Sequence, residues 1–326
     1  MGNRSVSYLI GADENGLGPR LGPMIVTATL ARVAAGAERL VTSAARGALA
    51  ERLGDSKDLV AHGNITLAEA WSRVLVARGA GGHRQAGTPA DLLDALSLDD
   101  AARLREPCPA HVEAQCWSTD RETFPDQLDD LRGLVNNDLD QLASQGVEIV
   151  AVRSVVVCTR LLNRAAKRGE SRFAVDLHAM ERLVIALRDL CDQPIEAVCG
   201  KVGGYGQYGK VFGPLGGRLH TVLEEGRARS AYHFPEVGEV AFVRNADASN
   251  LLVGLSSLVG KYLRELLMDR IVDHYRRQDP KLPAASGYHD PVTARFVSGT
   301  EGQRQRQRIP STCFERQRAQ QRPAKR

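Results

Sequence analysis

Residues 8–24 read Tyr8-Leu9-Ile10-Gly11-Ala12-Asp13-Glu14-Asn15-Gly16-Leu17-Gly18-Pro19-Arg20-Leu21-Gly22-Pro23-Met24. An apolar run of strand character ends in two adjacent carboxylates, and glycines follow at once. Glycine lets backbone approach a ligand closely. Adjacent Asp and Glu at a strand end offer oxygen donors to a hard cation beside an anionic substrate. Taken alone, such a stretch is more often a solvated turn than a metal site, so its meaning depends on what surrounds it.

Working outward, the first strand is expected over Ser5 to Ala12, with Pro23 to Leu30 as its neighbour across a short Gly/Pro connection. Further strands are expected at Val147 to Cys158, Ile195 to Cys199 and Glu239 to Arg244. Met180, Leu183, Val184, Leu187 and Leu190 recur at helical spacing, and Leu251, Leu255, Leu258, Tyr262 and Leu266 make a longer stripe after Asp247. Strands mixed with amphipathic helices, without a repeat, give an α/β layered domain. Residues from 62 to about 145 are expected to form an insertion within it. There, Gly79 to His83 and Gly87-Thr88-Pro89 have the composition of a flexible connection, and Leu128, Leu131, Leu134, Leu139 and Leu142 line one acidic helix.

With 326 residues, 43% of them apolar, the chain can bury a substantial core. It contains no run of 18 apolar residues and no basic flank leading into an apolar segment at its start, so neither a membrane span nor a signal peptide is expected. The expected location is the cytoplasm. Six cysteines lack any Cys-x-x-Cys pair, which argues against a zinc knuckle or a dense disulfide framework and for reduced thiols. Charge is unevenly spread. Residues 301–326 carry eight Lys or Arg and two Glu, and the remainder of the chain is close to neutral. Residues 298–326 are therefore expected to be a basic, disordered tail, either solvated or adding non-specific phosphate affinity.

Three later segments change the weight of the opening stretch. They are Asp55-Ser56-Lys57, then Asn245-Ala246-Asp247-Ala248 entering a helix that carries Lys261, then Ser286-Gly287-Tyr288-His289-Asp290-Pro291. With Gly-x-Asp-Glu-x-Gly-x-Gly-Pro-x-x-Gly-Pro-Met at the start, this order resembles the type 2 ribonucleases H. It is most similar to their archaeal and eukaryotic branch, whose late motif also reads Gly-Tyr-x-x-Asp-Pro. The resemblance runs from about residue 8 to about residue 297, with a poorly matched middle.

This resemblance implies the ribonuclease H fold over residues 1–297, a mixed five-stranded sheet flanked by helices. It implies a metal-dependent endoribonuclease acting on RNA–DNA hybrids or on ribonucleotides embedded in DNA, with Mg2+ or Mn2+ as cofactor. Phosphodiester hydrolysis needs an activated water and neutralised phosphate charge, which two divalent ions about 4 Å apart supply. Asp13, Glu14 and Asp247 match family carboxylates and are the expected catalytic metal ligands, although Asp247 equally suits an N-cap. Gly16 and Gly18 match the glycines whose backbone reads the ribose 2′-hydroxyl. Tyr288 matches a tyrosine that stacks on the sugar, or is a half-buried loop residue. Lys57 and Lys261 match basic positions near phosphate, or are ordinary surface lysines.

Two departures stand out. Where the family has a further Asp, Ala197-Val198-Cys199-Gly200-Lys201 offers only Gly200, and Lys201 is expected to project a charge that opposes metal binding. Asp176 is a candidate substitute ligand, and equally a cap of the Met180 helix. The family's basic residue between the two glycines is here Leu17. Both departures favour an alternative function, a catalytically impaired relative that binds nucleic acid without turnover. The Gly-rich run from Gly200 to Lys210 lacks the register of a phosphate-binding loop. It is expected to be a mobile loop with Tyr205, Tyr208, Lys201 and Lys210 available to nucleic acid. Whether a protein partner completes the site is not encoded in any of these motifs.

Overall fold

Alternation along the first strand decides the layering. In the computed structural model, which describes residues 6–60, 63–82, 86–119, 122–124, 128–202 and 205–317, Leu9 joins one apolar cluster while Ile10 and Ala12 join another on the opposite face. The chain is thus a mixed α/β structure, a single sheet with helices on both faces.

The strands are β1 (Val6–Asn15), β2 (Met24–Ala34), β3 (Val147–Val157), β4 (Ile195–Gly200), β5 (Thr221–Glu225), β6 (Arg229–Phe234) and β7 (Gly238–Val243). Their order is β3-β2-β1-β4-β7-β6-β5. β1 runs antiparallel to β2 and parallel to β4, and β4 runs parallel to β7. The sheet therefore has seven strands, not the five implied by the resemblance. The additional pair, β5 and β6, escapes sequence patterning because every residue of β5 is exposed, including Val222 and Leu223. Only β6 carries buried aromatics, Tyr232 and Phe234.

The Leu251–Arg276 helix covers one face and the Arg172–Arg188 helix the other. The first comes very close. A Cβ at Gly11 would stand 2.4 Å from the backbone of Leu252 and Val253, so only glycine permits this crossing. Ser256 Oγ donates to the Gly11 carbonyl at 2.8 Å, which fixes the helix against β1. Leu190 of the expected helical stripe falls beyond the helix and is 56% exposed.

Residues 62–145 contribute helices at Thr66–Ala77, Pro89–Leu96 and Asp129–Ser144, which share the Leu251–Arg276 helix's apolar cluster. Trp71 is fully buried there and donates its indole N–H to the Arg52 carbonyl at 2.7 Å. The Gly79–Gly82 turn is tied to the sheet, since the Ala80 carbonyl accepts the Val152 amide at 2.9 Å. His83 lies outside the described residues. Val135, Leu139 and Leu142 form the buried face of the acidic helix, whereas Leu134 is exposed.

The expected disorder of residues 298–326 is overturned as far as residue 317. Helices at Pro291–Gly299, Glu301–Arg306 and Ser311–Phe314 lie against the body. Phe314 is buried with Phe296 and Tyr275, and the Arg304 guanidinium stacks 4.2 Å from its ring. Apolar anchors spaced through a basic sequence suffice to fold it down. Residues 318–326 lie outside the described residues.

All six cysteines are free. Cys108, Cys116, Cys158 and Cys313 line one apolar cavity of about 30 Å3, where burial pushes the Cys158 thiol up to about 11 and the Cys116 thiol up to about 12. These groups stay protonated at neutral pH. Among the described residues, no helix is long and apolar enough to cross a membrane.

Candidate active site

β1 and β4 run side by side toward the same sheet edge, and beyond their ends the chain opens a cleft of about 360 Å3. Asp13, Glu14, Gly16, Gly18, Lys57, Asp247, Lys261 and Tyr288 all line it. Segments up to 275 residues apart in sequence thus meet at one place, through β1, the turn before the Leu251–Arg276 helix, and the Gly287 loop.

Strand alternation places Asp13 and Glu14 on opposite sides of β1. Asp13 sits on the Leu251–Arg276 side, where the nearby Ser257 hydroxyl favours its charged form. Its carboxyl is pushed well up, first by burial, then by repulsion from Glu14 and Asp247. Glu14 lies on the other side. Burial raises it too, offset in part by the Leu17 backbone N–H and by the charges of Arg316, Lys57 and Arg264. One of its oxygens, Oε2, is buried without a hydrogen-bond partner.

Asp247 stands in a 3₁₀ turn, Ala246–Ala248, which follows Asn245 in the left-handed region at φ 54°. The N-cap role considered for Asp247 belongs instead to Asn250, whose side chain accepts from Leu252 and Val253. Asp247 is thereby left to face the cleft, where its Oδ2 lies 3.3 Å from Lys57 Nζ. Asp55 caps the Ser56–Leu59 turn by accepting from the Lys57 amide at 2.9 Å, and the exposed lysine side chain stands at the cleft's rim between Asp55 and Asp247.

Tyr288 keeps 41% of its surface exposed, with the Arg264 guanidinium 4.5 Å from its ring centroid and the Lys261 ammonium at 6.0 Å. Lys261 is paired with Glu265 at 3.4 Å. Gly16 has φ +93°, and a Cβ there would meet Arg264 Nε at 2.9 Å, so the turn needs glycine on two counts. A Cβ at Gly18 would meet nothing within 4 Å.

The departures read from sequence take physical form. A Cβ on Gly200 would stand 2.7 Å from Asp13 Oδ1, so position 200 adjoins the first carboxylate and brings no oxygen of its own. Lys201 lines the cleft, as expected. Its ammonium is taken by the Gly226 carbonyl at 2.5 Å and Ser230 Oγ at 2.8 Å, and with no acidic partner in these bonds its charge is undiminished. Asp176 is not a cap either, because Ser171 caps its helix and Asp176 lies inside it. It is fully buried, both its oxygens lack partners, and burial with Glu14 and Asp13 nearby pushes its carboxyl well up.

The Gly-rich segment is also more fixed than expected. Tyr208 is buried and stacked on Phe242 at 4.0 Å, so it is unavailable to a ligand. Lys210 bonds Gln207, and Tyr205, 49% exposed, stacks on Phe173. Gly203 and Gly204 lie outside the described residues.

Whether these groups suit a hard divalent cation rests on donor chemistry. Among the described residues, no three His, Cys, Asp or Glu side chains converge closely enough to hold a metal ion as they stand. Mg2+, however, is commonly held by one or two carboxylates with water and substrate phosphate completing its shell. Buried, mutually repelling carboxyls with unpartnered oxygens at Glu14 and Asp176 are the donors such an ion takes. The residues present fit the ion by kind.

No protein-family model matches the chain, and no curated protein matches it. Several solved structures are similar. One is ribonuclease HII of Archaeoglobus fulgidus, solved in complex with PCNA, at 13% identity over 97% of this chain and 97% of that one, with a TM-score of 0.40. Another is ribonuclease H2 of Pyrococcus horikoshii OT3, at 13% identity over 94% and 92% of the two chains, with a TM-score of 0.41. A third is Bst-RNase HIII in complex with Mn2+, at 11% identity over 91% and 71%, with a TM-score of 0.37.

Proposed function

We propose that the chain is a metal-dependent endonuclease that cuts the RNA strand of RNA–DNA hybrids, or a ribonucleotide embedded in DNA. The observation that carries this reading is the convergence of Asp13, Glu14 and Asp247 with Gly16, Gly18, Lys57, Lys261 and Tyr288 around one cleft.

Each group has a task that its position permits. Asp13, Glu14 and Asp247 would hold Mg2+ or Mn2+, which when bound supplies charge neutralisation at the phosphate and activation of a water. Lys57, held at the rim by Asp55 and Asp247, offers a cation to the substrate backbone. The ring of Tyr288, steadied by Arg264, offers a stacking surface for a sugar or base. Gly16 and Gly18 let the main chain approach the ribose, where a 2′-hydroxyl distinguishes RNA from DNA.

Gly200 favours a second reading, a protein that holds nucleic acid without cutting it, because the place beside Asp13 lacks a carboxylate. One experiment separates the two. A labelled duplex with a single ribonucleotide, and an all-hybrid duplex, are incubated with Mn2+, Mg2+ or EDTA. Metal-dependent cutting that Asp13→Asn lowers by about a hundredfold or more supports the nuclease. Tight, salt-sensitive, metal-indifferent binding without cutting supports the binder.

A further inference from the structure

We propose that the segment Ser311–Gln317 is a strap that sets the conformation of the Gly16–Gly22 loop, with Arg316 as the positioning residue through which ribose recognition depends on it. The inference rests on the function proposed above and adds to it a residue that touches no substrate.

Arg316 is buried, 4% exposed, and two of its nitrogens are spent on main-chain carbonyls, while Nη2 is buried without a partner. Nε donates to the Gly22 carbonyl at 2.9 Å, and Nη1 donates to the carbonyls of Gly16 and, at 3.3 Å, Leu17. Across a trans peptide, a carbonyl and the following N–H point in opposite directions. Drawing the Gly16 and Leu17 carbonyls toward Arg316 therefore turns the Leu17 and Gly18 amides the other way. The Leu17 amide accordingly acts on Glu14. Arg316 thus decides which face of this glycine turn presents donors to the cleft.

The strap is itself anchored. Arg316 N donates to the Arg20 carbonyl at 3.0 Å, and Arg20 pairs with Glu315 at 2.6 Å. Asn163 donates to the carbonyls of Thr312 and Glu315 at 3.0 and 2.9 Å and accepts from the Gln317 amide at 2.7 Å. Arg172 spans both parts, donating to Leu17 and Gln317 carbonyls, each at 3.0 Å. A buried guanidinium is costly, and three carbonyls on one loop are the compensation that keeps it in place.

The test compares wild type with Arg316→Met, Arg316→Lys and Asn163→Ala in the full chain. Asn163→Ala loosens the strap without touching the loop. Amide hydrogen exchange in residues 16–22 should accelerate about tenfold or more in Arg316→Met and Asn163→Ala, with β1 to β4 changing less than about twofold. Arg316→Lys, which keeps a donor, should recover part of the protection. In Arg316→Met, the affinity ratio between a duplex with one ribonucleotide and an all-DNA duplex should fall by about fivefold or more. Unchanged loop exchange, or equal acceleration throughout the sheet, overturns the strap. Faster loop exchange with an unchanged ratio overturns its part in recognition. A wild type with no preference for the ribonucleotide overturns the proposed function instead, and loop exchange still decides whether the strap exists.

Discussion

Asp176 shows how a single buried side chain ties folding stability to pH. A buried carboxyl without hydrogen-bond partners stands against burial itself, so it keeps its proton well above the usual range. The folded protein then holds that proton where the unfolded chain has lost it. Relative stability is therefore greatest in acid and declines as pH rises from about 4 through the folded value. Asp176→Asn should accordingly gain on wild type as pH rises. Urea unfolding in EDTA at pH 4.5 and 7.5 should show the mutant's advantage widening, by about 1–3 kcal/mol at the higher pH. A constant gap would mean the carboxyl is solvated or paired. Asp13 and Glu14 were visible in the sequence because glycines follow them in a recognisable order, and Asp247 because it follows Asn245-Ala246 just before a helix. Asp176 and Arg316 were not visible as they function here, since burial and distant carbonyls, both products of the fold, give them their roles. In sequence, Arg316 is one basic residue in a run of Gln and Arg.

The contact of β1 with the Leu251–Arg276 helix sets the position of both cleft carboxylate groups. Gly11 makes the contact possible, and what a Cβ there would meet is the backbone of Leu252 and Val253 and the Leu252 Cβ, none of them the far end of a flexible side chain. Gly11→Ala should destabilise the protein by about 3 kcal/mol or more, through overpacking. Chemical unfolding with unchanged far-ultraviolet circular dichroism would record this, and a cost below about 1 kcal/mol would show that the helix can slide away. Elements with strong apolar patterning were read from sequence to within a few residues, as with β2, β3 and β7. β5 was missed because an exposed strand has no buried face to produce alternation. The helices between residues 62 and 145 were largely missed because their apolar residues serve a core completed only by the much later Leu251–Arg276 helix.

Taken whole, the molecule sets Asp13, Glu14 and Asp247 beside Lys57, Lys201 and Lys261 in one cleft, on a chain that is nearly neutral apart from its basic end. Binding of a divalent cation to the folded state alone should stabilise it by about 2.7 kcal/mol at a hundredfold excess over Kd. Protons compete for the same raised carboxyls, so the rise in melting temperature with Mn2+ should be large at pH 7.5, shrink toward pH 5 and vanish in Asp13→Asn. A shift that survives Asp13→Asn would place the cation elsewhere.

The bond from Arg316 to the Gly22 carbonyl joins residues 294 positions apart. In synthesis, the cleft's first loop emerges 294 residues before the arginine that takes its carbonyls. A nascent chain stopped short of residue 316 can build much of the sheet, yet its glycine turn lacks the bonds of Arg316 and keeps only others, such as that of Arg172 to the Leu17 carbonyl. On the strap proposed above, the turn takes its final form late, once translation has passed residue 316, and a chain cut short of it would fold its body around an unfinished cleft.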